Sequence, residues 1–311
     1  MNYRKLGGFV LLGLLVVCGI WILLRDYVIE KADSQAELTD LSASYTASEE
    51  IAAAAQRLAD GEKPAEVVTR LLDDSARVAI VFDGLPERPL AERLLDVLQK
   101  HNASAVFFVE GQNAAEQPET IRRIYDTGHE IGNYTFVGIS GAEKIPTERL
   151  LTELCRTQQV VATLSPKAPT LFRAPRTVYT DPLLQAVKAA GIDYAVKENV
   201  RHAAGSFQNA ADAAAFAATI PRGSIISIAL TRPVDPLPKD VGKTDERPAV
   251  DKKPNIEDPP AVRNTPPPPD PADELDWLLT ALEGAGMKVV DIHDFRKIRY
   301  IPAIPEVEPV R

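Results

Sequence analysis

Arg77-Val78-Ala79-Ile80-Val81-Phe82-Asp83-Gly84-Leu85-Pro86 decides the fold of this chain. Val78 to Phe82 is a run of β-formers with no polar alternation, which reads as a strand buried on both faces. The run ends in a carboxylate and a Gly-x-Pro turn, and Glu87–His101 then carries a helical pattern. Leu90, Leu94, Leu95, Val97 and Leu98 fall on one face of that helix. Asn102 to Val109 supplies a second apolar strand. Strand, turn, helix and strand form a βαβ unit, with Asp83 at the carboxyl end of its first strand. Parallel α/β folds and barrels place their chemistry at that end.

Working outward, the same alternation continues. Helix Gln117–Thr127 leads to a strand near Glu130–Asn133, helix Pro146–Leu164 to Thr170–Arg173, and helix Asp181–Ala190 to Tyr194–Val196. Helix Ala210–Ile220 precedes Ser224–Leu230, and helix Ala272–Gly284 precedes Met287–Ile292. Strands that alternate with helices predict a parallel sheet with right-handed crossovers. About seven such units predict an α/β fold, a deformed (β/α) barrel, over residues 75–300, with 301–311 as a tail.

Four stretches then resemble a known family: Val81-Phe82-Asp83-Gly84-Leu85-Pro86, Leu94-Leu95-Asp96-Val97-Leu98, His101 to Val109, and Gly128-His129-Glu130-Ile131-Gly132-Asn133. They are similar to the polysaccharide deacetylases, the NodB-homology domain of carbohydrate esterase family four. The resemblance runs from about Arg77 to Ile298 and implies the same deformed barrel. It also implies hydrolysis of a non-peptide carbon–nitrogen bond in a glycan. In that family an Asp and two His hold a divalent metal, and a second Asp deprotonates the metal-bound water.

Position by position, the match is incomplete. The family's Asp-Asp pair reads Asp83-Gly84, so Asp83 takes the base position and Gly84 the metal ligand's. The two family imidazoles fall on Tyr134 and Gly138 in Asn133-Tyr134-Thr135-Phe136-Val137-Gly138. A catalytic metal takes about three protein ligands, and none of these residues is one. The expectation is therefore no metal and no cofactor. Phe172-Arg173-Ala174-Pro175-Arg176 resembles the motif whose Arg orients the base, so Arg173 is expected to pair with Asp83. That leaves Asp83 and Arg173 at the catalytic positions, with Tyr134, Arg176 and His129 as substrate-facing candidates. The Asp-Trp motif is replaced by Lys197-Glu198-Asn199, and the acid His by Ile228-Ala229-Leu230-Thr231. His101 and His293 have no ligand partner at metal spacing in the sequence. Arg173, Arg176 and Lys197 can together face an anionic sugar or phosphate.

The flanks predict location. Leu6 to Leu24 is 19 residues without a charge, close to the roughly 20 that span a bilayer, and no small-x-small site follows it. A membrane anchor over 1–25 is expected, with a cleaved signal as its rival and the C-terminal domain outside the cell membrane. Residues 26–74 read as a helical stalk, with an element packed against the main domain as the alternative, and carry helices at Ala47–Ala59 and Pro64–Leu72 and a capping box at Thr46–Glu49. Pro233 to Pro271 holds twelve prolines in 39 residues and is expected to be an unfolded insertion without a role of its own, with a lid, a wall-facing tether or a contact for a protein partner as the alternatives. A net charge of −9 argues against nucleic acid. These signs point to a membrane-anchored, deacetylase-like protein that binds or scaffolds cell-envelope glycan. An active N-deacetylase with a rebuilt site and a purely structural envelope protein are the alternatives.

Overall fold

A computed structural model describes residues 44–70, 75–235 and 269–296. In chain order these residues form α1 (Ser48–Ala59), β1 (Glu66–Val68), β2 (Arg77–Asp83), α2 (Arg88–Lys100), β3 (Ala105–Val109), α3 (Gly111–Glu116), α4 (Pro118–Asp126) and β4 (Glu130–Asn133). There follow α5 (Thr147–Leu164), β5 (Leu171–Phe172), α6 (Asp181–Ala189), β6 (Tyr194–Val196), β7 (Val200–Ala203), α7 (Ala210–Ala217) and β8 (Ile225–Ala229). The described chain closes with α8 (Pro271–Gly284), β9 (Lys288–Val289) and α9 (Ile292–Arg296).

The strands lie in the order β1-β6-β5-β4-β3-β2-β8-β7, every pair parallel. The result is a parallel-strand α/β half-barrel. The expected alternation of strand and helix is present, and among the described residues an isolated antiparallel bridge joins Arg70, after β1, to Ser224, before β8. β2 is the central strand, with β3 on one side and β8 on the other, and Val78 to Asp83 are all buried. That double burial is why the run carries no polar alternation. Phe82 and Phe107 stack across the β2–β3 pair with ring centroids 4.6 Å apart. α2 starts at a proline in its first turn and buries Ala91, Leu94, Leu95 and Leu98.

β9 pairs with the beginning of β2, at Arg77 and Val78, beneath the β2–β3 pairing. It therefore lies at the amino-terminal end of the sheet, opposite Asp83. The chain leaves it through Val290 and Asp291 into the short helix α9.

Several expectations for the region before Arg77 are corrected. The helix expected over Pro64–Leu72 is the strand β1, whose Glu66, Val67 and Val68 pair with Tyr194, Ala195 and Val196. Edge pairing with β6 overrides a weak helical pattern there. The capping box is absent: Ala47 is the N-cap of α1, in the left-handed region at φ 49°, with no side-chain cap bond. Nor is 47–70 a stalk. Ala47, Ala54 and Ala65 enter the cluster formed by α5 and α6, and the Arg57 guanidinium donates to the Ala189 carbonyl. Among the described residues no helix is long and apolar enough to cross a membrane. The Leu6–Leu24 stretch and most of Pro233–Pro271 lie outside the described residues.

Candidate functional site

The carboxyl ends of β2, β4 and β5 bring Asp83, Tyr134 and Arg173 to one end of the half-barrel. β2 and β5 are not neighbours in the sheet, so Arg173 reaches across the curve. Its guanidinium grips Asp83 with two bonds, Nε to Oδ1 at 2.5 Å and Nη2 to Oδ2 at 3.0 Å. Nη1 donates to Glu198 Oε2 at 2.5 Å and to the Val196 carbonyl at 3.3 Å. The expected pair is present, and Glu198 joins it from the segment where the family's Asp-Trp motif is missing.

Both members of the pair are sealed. Asp83 is 0% exposed and Arg173 1%. Burial pushes the Asp83 carboxyl above the ordinary aspartate range, against the pull of Arg173. Burial alone would lower the Arg173 pKa, but the Asp83 carboxylate and its bonds hold the guanidinium above its ordinary value. Burial likewise opposes charge on Glu198, yet the bonds from Arg173 keep that carboxyl below the usual range. Asp83 is thus a buried half of an ion pair and is closed to solvent.

The positions of the family's ligands are occupied by other groups. A Cβ added to Gly84 would lie 1.9 Å from Thr231 Oγ1 and 2.5 Å from its Cγ2. Gly84 also sits at φ +97°, which side chains rarely adopt. Thr231 Oγ1 in turn donates to Glu110 Oε1 at 2.6 Å, and Glu110 Oε2 accepts from the Leu85 amide at 2.8 Å. A Cβ on Gly138 would meet Glu110 Cγ at 3.1 Å. Glu110 and Thr231 fill the space between the two glycines. The residues present do not fit the family's metal at this end: two carry no side chain, and the third is a phenol.

Of the substrate-facing candidates, only Arg176 is exposed, just beyond β5 in a left-handed conformation at φ 50°. Tyr134 is buried among Val106, Phe108 and Val196, and its hydroxyl is raised well above the usual tyrosine range by burial. It is a core side chain and does not face a ligand. His129 precedes β4 at the opposite end of the sheet. Its ring lies edge-on to Phe107 and its Nδ1 accepts from the Ala105 amide at 3.3 Å. Burial lowers its pKa to about 4.

The expectation of no metal for the chain as a whole is corrected at that opposite end. Glu130, Asp291 and His293 bring three metal-ligating atoms within 4.8 Å of one another. His293 Nε2 lies 2.5 Å from Glu130 Oε2. Sequence spacing hides this group because β4 and α9 meet only through the fold. Glu110, Glu198 and Thr231 escape the sequence reading for the same reason.

Comparisons with known proteins agree with this architecture. The polysaccharide deacetylase family model matches residues 73–195. A peptidoglycan-N-acetylglucosamine deacetylase of Bacillus cereus is 33% identical over 102 residues, 33% of this chain and 37% of that protein. A chitooligosaccharide deacetylase of Bradyrhizobium is 34% identical over 116 residues, 37% of this chain and 52% of that protein. The matched part thus spans about a third to a half of these curated relatives. Among solved structures, a family 4 carbohydrate esterase of Bacillus subtilis aligns with a TM-score of 0.55 at 21% identity, over 75% of this chain and 85% of that one. A CE4 family pseudoenzyme of Bacillus anthracis aligns at 0.52 and 15% identity, over 74% of this chain and 68% of that one. At such identities the structural likeness concerns the fold alone.

Proposed function

We propose that the chain, whose residues 73–195 match the polysaccharide deacetylase family model, is a non-hydrolytic member of that family, held at the cell membrane and recognising or scaffolding envelope glycan. The observation that carries this reading is the Thr231 side chain packed where a ligand at position 84 would project, 1.9 Å from its Cβ. Without that ligand and both imidazoles, the water-activating chemistry of the family has no seat beside Asp83. Asp83 itself is committed to Arg173. Arg176 is exposed beyond β5, and Lys197 just after β6, where either cation can meet a sugar.

The relatives named for peptidoglycan and chitooligosaccharide support a glycan as the partner. The uncharged Leu6–Leu24 run supports the anchor, with the half-barrel outside the membrane. The test pairs catalysis with binding. Full-length protein, supplied with Zn²⁺, is incubated with N-acetylglucosamine oligomers and with purified peptidoglycan. Co-sedimentation with peptidoglycan and no released acetate is expected. Acetate release that Asp83→Asn abolishes would show an active deacetylase instead. In cell fractions, the protein is expected to remain with membranes through an alkaline wash, and a shortened soluble form would refute the anchor.

A further inference from the structure

We propose that Glu130, Asp291 and His293 form a binding site for a divalent first-row metal ion of the Zn²⁺ type, at the amino-terminal end of the sheet. The donor set is one imidazole and two carboxylates, a combination suited to Zn²⁺ and poorly suited to Mg²⁺, which favours oxygen ligands and retained water. Three converging atoms are the number that a site with one open position uses.

The donors come from two elements that the fold brings together. Glu130 is the first residue of β4, while Asp291 and His293 bracket the start of α9 just after β9. β9 is itself tied to the beginning of β2, so the two sides of the site are held by the same sheet. Each carboxylate is also oriented from behind. Glu130 Oε1 accepts from Thr170 Oγ1 at 3.4 Å, and Asp291 Oδ1 accepts from the His293 amide at 2.7 Å. Such outer bonds fix the direction of ligand side chains.

His293 Nε2 and Glu130 Oε2 are 2.5 Å apart and all three donors fall within 4.8 Å. Donors at about 2.0–2.2 Å from a tetrahedral ion stand roughly 3.4 Å from each other. The ion therefore enters by opening the His293–Glu130 pair by about 1 Å, a rotamer-scale adjustment. With a neutral imidazole the three groups carry two negative charges, which a dication neutralises. The group also opens onto a cavity of about 440 Å³ lined by His129, Lys167 and Thr170, with room for water in the remaining position. The site is independent of the Gly84 end, from which it is separated by the length of the sheet.

Chelator-treated full-length protein, titrated with Zn²⁺ and passed through a desalting column, is expected to retain one equivalent. At free Zn²⁺ about 100-fold above Kd, its Tm should rise by about 5 °C. Mg²⁺ should produce neither effect. Glu130→Gln and His293→Asn should each weaken binding at least tenfold, with circular dichroism used to verify that the variants fold. Asp291→Asn is the third variant, because Asn preserves the bond that caps α9 while removing a charged donor. It too should weaken Zn²⁺. No stoichiometric Zn²⁺ in the wild type at tens of micromolar, or affinity unchanged in all three variants, would overturn the proposal. So would loss of Zn²⁺ in Tyr134→Phe with Glu130→Gln unaffected, which would put the ion at the other end.

Discussion

At the scale of single residues, Gly84 and Thr231 form a lock, and its strength is measurable. Gly84→Asp adds a side chain at φ +97° into the Thr231 methyl and hydroxyl. A loss of about 2 kcal/mol or more is expected in urea denaturation. Thr231→Gly alone removes the donor to Glu110 Oε1 and should cost about 1–2 kcal/mol. In the double variant the steric part of the first loss is relieved, so a coupling of roughly 1–3 kcal/mol is expected. Strict additivity would mean that Thr231 does not occupy the ligand's space. By the same geometry, Gly84→Asp combined with Tyr134→His and Gly138→His cannot rebuild a metal seat while Thr231 and Glu110 remain. Asp83→Asn tests the neighbouring clamp. Arg173 would keep Glu198 and the Val196 carbonyl but lose its two-fold charged partner. A destabilisation of about 3–5 kcal/mol is expected, because the guanidinium stays buried. A stability change near zero would mean that the pair is not structural.

At the scale of elements, local pattern is readable where it agrees with tertiary contact. β2, α2 and β3 lie within a residue or a few of their expected bounds because burial on both faces and an apolar helix stripe leave few alternatives. β1 is three residues long beside Pro64, and β7 reads Val200-Arg201-His202-Ala203, so neither carries a pattern of its own. Both exist because a parallel neighbour completes their hydrogen bonds. The site divides in the same way. The losses at Gly84, Tyr134 and Gly138 are visible as motif positions, whereas the Glu110–Thr231 plug and the Glu130–Asp291–His293 group depend on residues distant in sequence. α5 offers a test of its packing through Cys155. Its thiol is 1% exposed, and burial pushes its pKa up to about 11 from 9.0. In a Cys18→Ser background, a thiol reagent at pH 8 should label Cys155 only after unfolding. The neutral thiol favours the folded state fully below pH 9, and that contribution is lost between pH 9 and about 11. The wild type should therefore lose on the order of 2 kcal/mol more than Cys155→Ala over this window. Prompt native labelling would contradict the buried placement.

At the scale of the whole molecule, the question is where the half-barrel begins. The family match starts at residue 73, and the sequence alone assigns 26–74 to a stalk. The fold draws the boundary earlier, since a single compact unit begins at Ala47. β1 forms the edge of the sheet beside β6 and buries Val68 in the core cluster that holds Tyr134 and Val196. α1 covers α5 and α6 with Ala54, Ile51 and Leu58, and Arg57 ties it to the end of α6. Removing both elements would expose the edge hydrogen bonds of β6 and several apolar side chains that each contribute roughly 1.5–3 kcal/mol when fully buried and large. Two truncations separate the boundaries. A protein starting at Ala47 should unfold cooperatively with a normal Tm, whereas one starting at Ser75 should lose more than about 3 kcal/mol or fail to accumulate in soluble form. The Ser75 form should also show faster amide exchange in β6, whose edge it leaves bare. Equal Tm values for the two proteins would return 47–70 to the role of a spacer and place the edge of the fold at β6.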